Sequence, residues 1–270
     1  MKKRLCKLAA FFAALALLAG VLWFSNALVG NPVSRLLAAR AAKSYLDGQY
    51  PGAGYQVESV TYNLKSGGYT AAVISPTSID SHFTLGLSMD GRVLWDGFHS
   101  VESGWNTWER LDGEYRALVD TVLESPEFPY NVHISYGTLW MEHEYGEPWP
   151  PYLLFDDLEL DGDYDVRALG KACGKIVLYV RQDEVSADAA ARILLETRRA
   201  LDEVNIPFYC IDFVLEHRLT EDGRLPEGDV LVRYFPYADI HEEGLVERVQ
   251  AADAEARAHY AALDAESDKE

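Results

Sequence analysis

The stretch "SPTSIDSHF", Ser75 to Phe83, brings Ser75, Ser78, Ser81, Thr77, Asp80 and His82 close together in the chain. Serine hydrolysis needs a serine beside a histidine, a carboxylate to orient the imidazole, and an oxyanion hole. Asp80 and His82 are the catalytic candidates, because a strand reaching back to Asp80 would place both on one face. The same residues also have a purely conformational use. Ser75 precedes Pro76 and is pushed into an extended conformation. Thr77 and Asp80 have the spacing of a capping box, and turns favour Ser, Thr and Asp for local hydrogen bonding. With no G-x-S-x-G elbow in the chain, the stretch reads as a corner between two strands, and the hydrolase is the secondary reading.

The run "DDLELDGDYD" supplies Asp161, Asp163 and Asp165 as candidate oxygen ligands for a cation. An EF-hand needs glycine at its sixth position and glutamate at its twelfth; counted from Asp161, Gly162 is second and Ala172 is twelfth. The run therefore reads as a solvated loop, with no metal or cofactor expected. "MEHEYGEPWPPY", with Trp140 just before it, offers His143 but no second histidine, so the His-Glu-x-x-His zinc arrangement fails. Trp140, His143, Tyr145, Trp149 and Tyr152 instead suggest an aromatic contact loop for a protein or a glycan. The alternative is that these rings pack into a seam between domains. Cys173 and Cys210 could form a disulfide in an oxidising compartment, or stand as buried thiols.

These residues must be positioned by an α+β fold. Asn31-Pro32 opens a helix through Tyr45 and Leu46 that stops near Gly48. Strands are predicted over 55–64, 69–74, 82–88 and 92–98, with "KSGGY" as one hairpin turn and Asp90-Gly91 as another. "WNTWERLDGEYRALVDTVLES" reads as a second helix. Beyond Tyr130 the reading is poor as far as Leu160. There follow a short helix "VRALGKAC", a strand "KIVLYVR", a helix over 187–204 capped by Ser186, two strands "IPFYCIDFVLEH" and "GDVLVRYFPY", and a last helix over 243–264.

Lys2, Lys3, Arg4 and Lys7 precede an uncharged run from Leu8 to Val29. At about 1.5 Å per residue this run is long enough to cross a hydrocarbon core of about 30 Å. The expectation is a single transmembrane helix, a signal anchor that partners the membrane through residues 8–29. The N-terminus would be cytoplasmic and the rest of the chain extracellular; cleavage after a signal peptide is the alternative. The net charge of −19 excludes a nucleic-acid reader, and no glycine-rich phosphate loop occurs.

The stretches "NPVSRLLAARAAKSYLDGQYPG", "SVTYNLKSGGYTAAVISPTSIDSHFTL", "SADAAARILLETRRALDEVNIPFYCIDFVLEH" and "YADIHEEGLVERVQ" resemble the YfjL-like proteins. The resemblance implies a membrane-anchored protein of Gram-positive bacteria with YfjL-like N-terminal and C-terminal domains. It rests on fold-defining stretches and brings no catalytic motif. The helix-then-sheet start is also similar to small extracytoplasmic domains of the cystatin-like kind, which mostly bind or inhibit.

The expected domains are an anchor over 1–30, a helix-plus-antiparallel-sheet domain over 31–128, a second small α+β domain over 129–264, and a charged tail over 265–270. The expected function is non-enzymatic binding of another protein or a cell-wall component in the envelope; the alternative is an envelope hydrolase with scattered residues.

Overall fold

The computed structural model describes residues 11–18, 20, 21, 24, 30–139, 153 and 157–267. The transmembrane helix expected over 8–29 is corrected here. Among the described residues no helix is long and apolar enough to cross a membrane. Residues 11–18, 20, 21 and 24 are helical, and the remainder of that stretch lies outside the described residues. What the structure supports is an α+β chain with two four-stranded sheets.

The chain divides into two units, residues 1–107 with 159–161, and residues 108–158 with 162–270. In the first, α1 (Pro32–Gln49) begins at Asn31, whose side chain accepts the Ser34 N–H at 2.8 Å. Its Ala38, Ala42 and Leu46 repeat every fourth residue and are buried against an antiparallel sheet. The strands are β1 (Gln56–Asn63), β2 (Gly68–Ile74), β3 (His82–Leu87) and β4 (Val93–Asp96), side by side in chain order. Gly91 lies at φ +85°, as the tight turn between β3 and β4 requires. Tyr69, Val73, Phe83, Leu85 and Leu87 complete this core. A short helix, α2 (His99–Glu102), follows, which the sequence reading did not anticipate.

Helix α3 (Trp105–Leu123) carries Leu111, Tyr115, Val119 and Leu123 as a buried stripe, and that stripe enters the core of the second unit. For this reason the boundary falls after Thr107 and not near 128. The second sheet contains β5 (Val132–Leu139), β6 (Gly174–Gln182), β7 (Cys210–His217) and β8 (Asp229–Pro236) in that order. Strand β5 lies in the segment that the sequence left unread. Strands β6 and β7 are parallel and the other neighbours antiparallel. A parallel pair needs a crossover. Helix α5 (Ala187–Glu203) makes it, with Ser186 accepting the Ala189 N–H and Ile193, Leu194 and Leu201 buried. Helix α4 (Val166–Cys173) precedes β6, and α6 (Leu245–Ser267) closes the unit. Helix α6 also covers the free edge of β8. Asp253 accepts the Leu231 N–H at 2.9 Å, and Arg257 donates to the Asp229 carbonyl at 2.7 Å.

Tyr115 fixes how α3 sits on this sheet. It is fully buried, and its hydroxyl donates to the Pro207 carbonyl at 3.0 Å. Three glycines make room for it. A Cβ on Gly170 would stand 2.4 Å from the ring, one on Gly174 2.7 Å from the hydroxyl, and one on Gly137 3.0 Å from the ring and 2.5 Å from Val119. Gly113, exposed on α3 itself, has open space around it. Gly170→Ala should therefore destabilise the protein by about 1–3 kcal/mol through overpacking. Gly113→Ala should stabilise it by roughly 0.5–1 kcal/mol by removing a flexible residue from a helix interior. Urea denaturation of the two variants checks both signs.

Candidate functional site

The Ser75–Phe83 loop is held by its own backbone, with the Ser75 N–H donating to the Ser81 carbonyl at 3.0 Å. Asp80 is 1% exposed. Its Oδ2 accepts the Asp161 N–H at 3.1 Å, while Asp161 Oδ1 accepts the Asp80 N–H at 2.9 Å and the Ser78 hydroxyl at 3.0 Å. This reciprocal pair, and not a box with Thr77, closes the corner. Asp161 takes the left-handed conformation at φ +59°, which aspartate tolerates better than most residues. Asn106 then donates to the carbonyls of Asp80 and His82 at 2.8 and 2.6 Å.

His82 is exposed where Asp80 is buried, and among the described residues no hydrogen bond joins the two side chains. The hydroxyls of Ser81 and Ser75 meet those of Tyr55 and Thr77. The structure thus places the two catalytic candidates side by side in sequence and apart in environment.

Of the candidate cation ligands, Asp161 is engaged with the Asp80 loop. Asp165 caps α4, accepting the N–H groups of Arg167 and Ala168 at 3.0 and 3.1 Å, and Asp163 is exposed. Among the described residues no group of three or more His, Cys, Asp or Glu is placed to hold a metal ion. Cys173 and Cys210 are both buried free thiols, so the disulfide alternative is absent from the structure. Burial pushes the Cys173 thiol up to about 11. Cys210 is raised as well, by burial first and then by the Asp212 carboxylate. Neither is a ready nucleophile. The aromatic contact loop, Trp140, His143, Tyr145, Trp149 and Tyr152, lies outside the described residues.

Two arrangements were not read from the sequence. On β7, Asp212 and Glu216 stand four apart, and each meets cations from neighbouring strands. Asp212 Oδ1 accepts the Tyr234 N–H at 2.7 Å, and its Oδ2 lies 3.4 Å from Lys175 and 3.6 Å from Arg233. Glu216 lies 3.2 Å from Arg181 and 3.4 Å from His133. Burial and then Arg181 hold the His133 imidazole below its ordinary range, against the opposing pull of Glu216. The His133–Glu216 contact is therefore a close approach of a carboxylate to a neutral ring near pH 7, not an ion pair. The one available signal was two acids at this spacing in the otherwise apolar "CIDFVLEH".

The second arrangement is a groove of about 840 Å³ between the first half of α1 and β1, the edge strand of the first sheet. Leu36, Ala39, Val60, Tyr62 and Tyr69 line it, with Arg35 as its cation. Tyr69 is a rigid wall. Its hydroxyl accepts the Asn31 N–H at 3.0 Å and donates to the Asn31 carbonyl at 2.9 Å, tying the wall to the helix start. Beside the groove Val33, Leu36 and Leu37 are 68%, 52% and 43% exposed, on consecutive positions of the same helix surface.

Asp80→Ala removes the acceptor for the Asp161 N–H and should cost about 1–3 kcal/mol, whereas His82→Ala should change stability by no more than about 0.5 kcal/mol. Thermal denaturation of both variants separates a structural corner from a catalytic one. In a thiol-alkylation experiment read by intact mass, Cys173 and Cys210 should stay unmodified in the native protein at pH 8 and react fully after denaturation without reductant.

The chain matches the description YfjL-like, N-terminal domain, over residues 5–97, and the YfjL-like C-terminal domain over residues 114–250. No curated protein and no solved structure matches it. The second match alone spans half of the chain, and the break between the two falls from 98 to 113, bracketing the point at which α3 passes from one unit to the other. The chain belongs to the YfjL-like family.

Proposed function

We infer that this protein is a non-enzymatic binding module, and that the groove beside α1 receives an apolar segment of a partner protein. The groove carries the reading. It is concave, its lining is aliphatic and aromatic, one wall is fixed by the Tyr69–Asn31 bonds, and a single cation stands at it. The exposed Val33, Leu36 and Leu37 extend the apolar surface beyond the groove, and a contiguous patch of this kind is the usual mark of a contact site. The burial of Asp80 and exposure of His82, with no hydrogen bond between their side chains among the described residues, supports binding over hydrolysis, because the orienting carboxylate must reach the imidazole.

A photo-cross-linking residue at position 36, introduced into the full chain in its native cells, tests the assignment. One reproducible adduct should form, and Ala39→Arg, which fills the groove, should abolish it while leaving the circular dichroism spectrum unchanged. An adduct that survives Ala39→Arg, or no adduct at all, removes the groove from the function.

A further inference from the structure

Strand β5 is an edge strand of the second sheet, and its two halves are treated differently. At the C-terminal end both backbone groups of Leu139 face away from the sheet and are satisfied by α3. Its N–H donates to Asp112 Oδ1 at 2.6 Å, and its carbonyl accepts from the Trp108 indole at 2.8 Å. The register from Leu139 opposite Gly174 to Ser135 opposite Leu178 is unbroken. In an antiparallel ladder the outward-facing residues alternate, so Gly137 and Ser135 turn their N–H and C=O groups to the same free edge as Leu139.

Further along, among the described residues, no side-chain hydrogen bond reaches this edge. Asp112 is followed at four-residue spacing by Arg116 and Asp120 on α3 and by Glu124 just past its end. Arg116 lies over the Tyr136 ring at 4.9 Å. Beyond it a cavity of about 550 Å³ opens beside the strand. Four consecutive residues of β5, Val132 to Ser135, line one side, and Glu124 at the end of α3 lines the other.

Soluble proteins guard such edges with lysine, proline or a covering element. The segment "VHISYGTL" has neither lysine nor proline and is rich in β-branched and aromatic residues, and Ile134 is exposed. The other edge of the same sheet is covered by α6 at Asp229 and Leu231, through Arg257 and Asp253. The charge beside the open half is acidic. Asp120 in the last turn of α3 and Glu124 just past its end stand four residues apart, and among the described residues Asp120 Oδ1 has no hydrogen-bond partner. Burial first, then the Glu124 charge, raises the Asp120 carboxyl above its ordinary range, with Arg116 opposing. An arriving cation would relieve that repulsion, and the whole chain, at −19, attracts basic partners.

We propose that the Val132–Ser135 half of β5 binds a basic, extended peptide by strand addition, with backbone pairing at Ser135 and lysine or arginine side chains meeting Asp120 and Glu124. Backbone pairing supplies the affinity of such a site, and alternate side chains supply the selection. This surface belongs to the second unit and does not depend on the groove of the first.

The test uses the full chain, a short alternating lysine–valine peptide carrying a fluorophore, and an alternating glutamate–valine peptide as the comparison. Fluorescence anisotropy at physiological salt should show saturable binding of the lysine peptide only, together with slowed amide hydrogen exchange at Ser135. Ser135→Pro deletes the outward N–H at a position where an edge strand tolerates proline, and binding should be lost. Should that variant fail to fold, the Asp120→Asn, Glu124→Gln double variant keeps the question open to measurement, and it should weaken binding by about tenfold. Equal binding of both peptides, binding that persists in a folded Ser135→Pro protein or is unchanged in the double variant, or no binding of the lysine peptide would each overturn the proposal.

Discussion

The second unit depends on the seating of one ring. Tyr115 can sit between α3 and the strands because three positions on two other elements and a strand start, Gly137, Gly170 and Gly174, have no side chain. Its hydroxyl would be a buried, unsatisfied group if the Pro207 carbonyl did not accept it. Ring, glycines and carbonyl set the distance between helix and sheet. That distance puts Asp112 within reach of the Leu139 N–H and aligns the rest of the α3 stripe with β5. The helix does not end one domain, as its position in the chain suggests; its apolar face belongs to the next.

The outline of the fold was legible where structure is local. Asn31-Pro32, Asp90-Gly91 and Ser186 announce their elements by chemistry confined to a few residues, and the strands and helices around them lie within a few positions of where periodicity puts them. Strand β5 was not legible, because its neighbours in sequence are aromatics, prolines and acids that blur the two-residue alternation. The parallel pairing of β6 with β7 was not legible either, since nothing in two apolar strands states the direction in which they will meet. The long uncharged run near the N-terminus read as a membrane span on hydropathy alone, and among the described residues no helix is long and apolar enough to be one.

The candidate sites failed to appear in sequence for a related reason. Asp80 meets Asp161 across 81 positions, and Asp212 meets Lys175 and Arg233 from two different strands. A carboxylate in a run of serines looks available until its long-range partner is known. The corner "SPTSIDSHF" therefore carries the residue types of a hydrolase and the bonding of a turn. The groove beside α1 was hidden because an exposed Leu36 is indistinguishable, in sequence, from the buried Leu46 one helix face away.

The cover that α6 lays on β8 has a consequence for assembly. A sheet with two bare edges is a monomer with two complementary ends, and such units can join head to tail without limit. Here the Asp253 and Arg257 contacts occupy the edge groups of Leu231 and Asp229. A strand approaching β8 finds those two positions already taken, so the two edges of the sheet are not equivalent. The C-terminal helix thereby weights end-to-end joining against the β8 side.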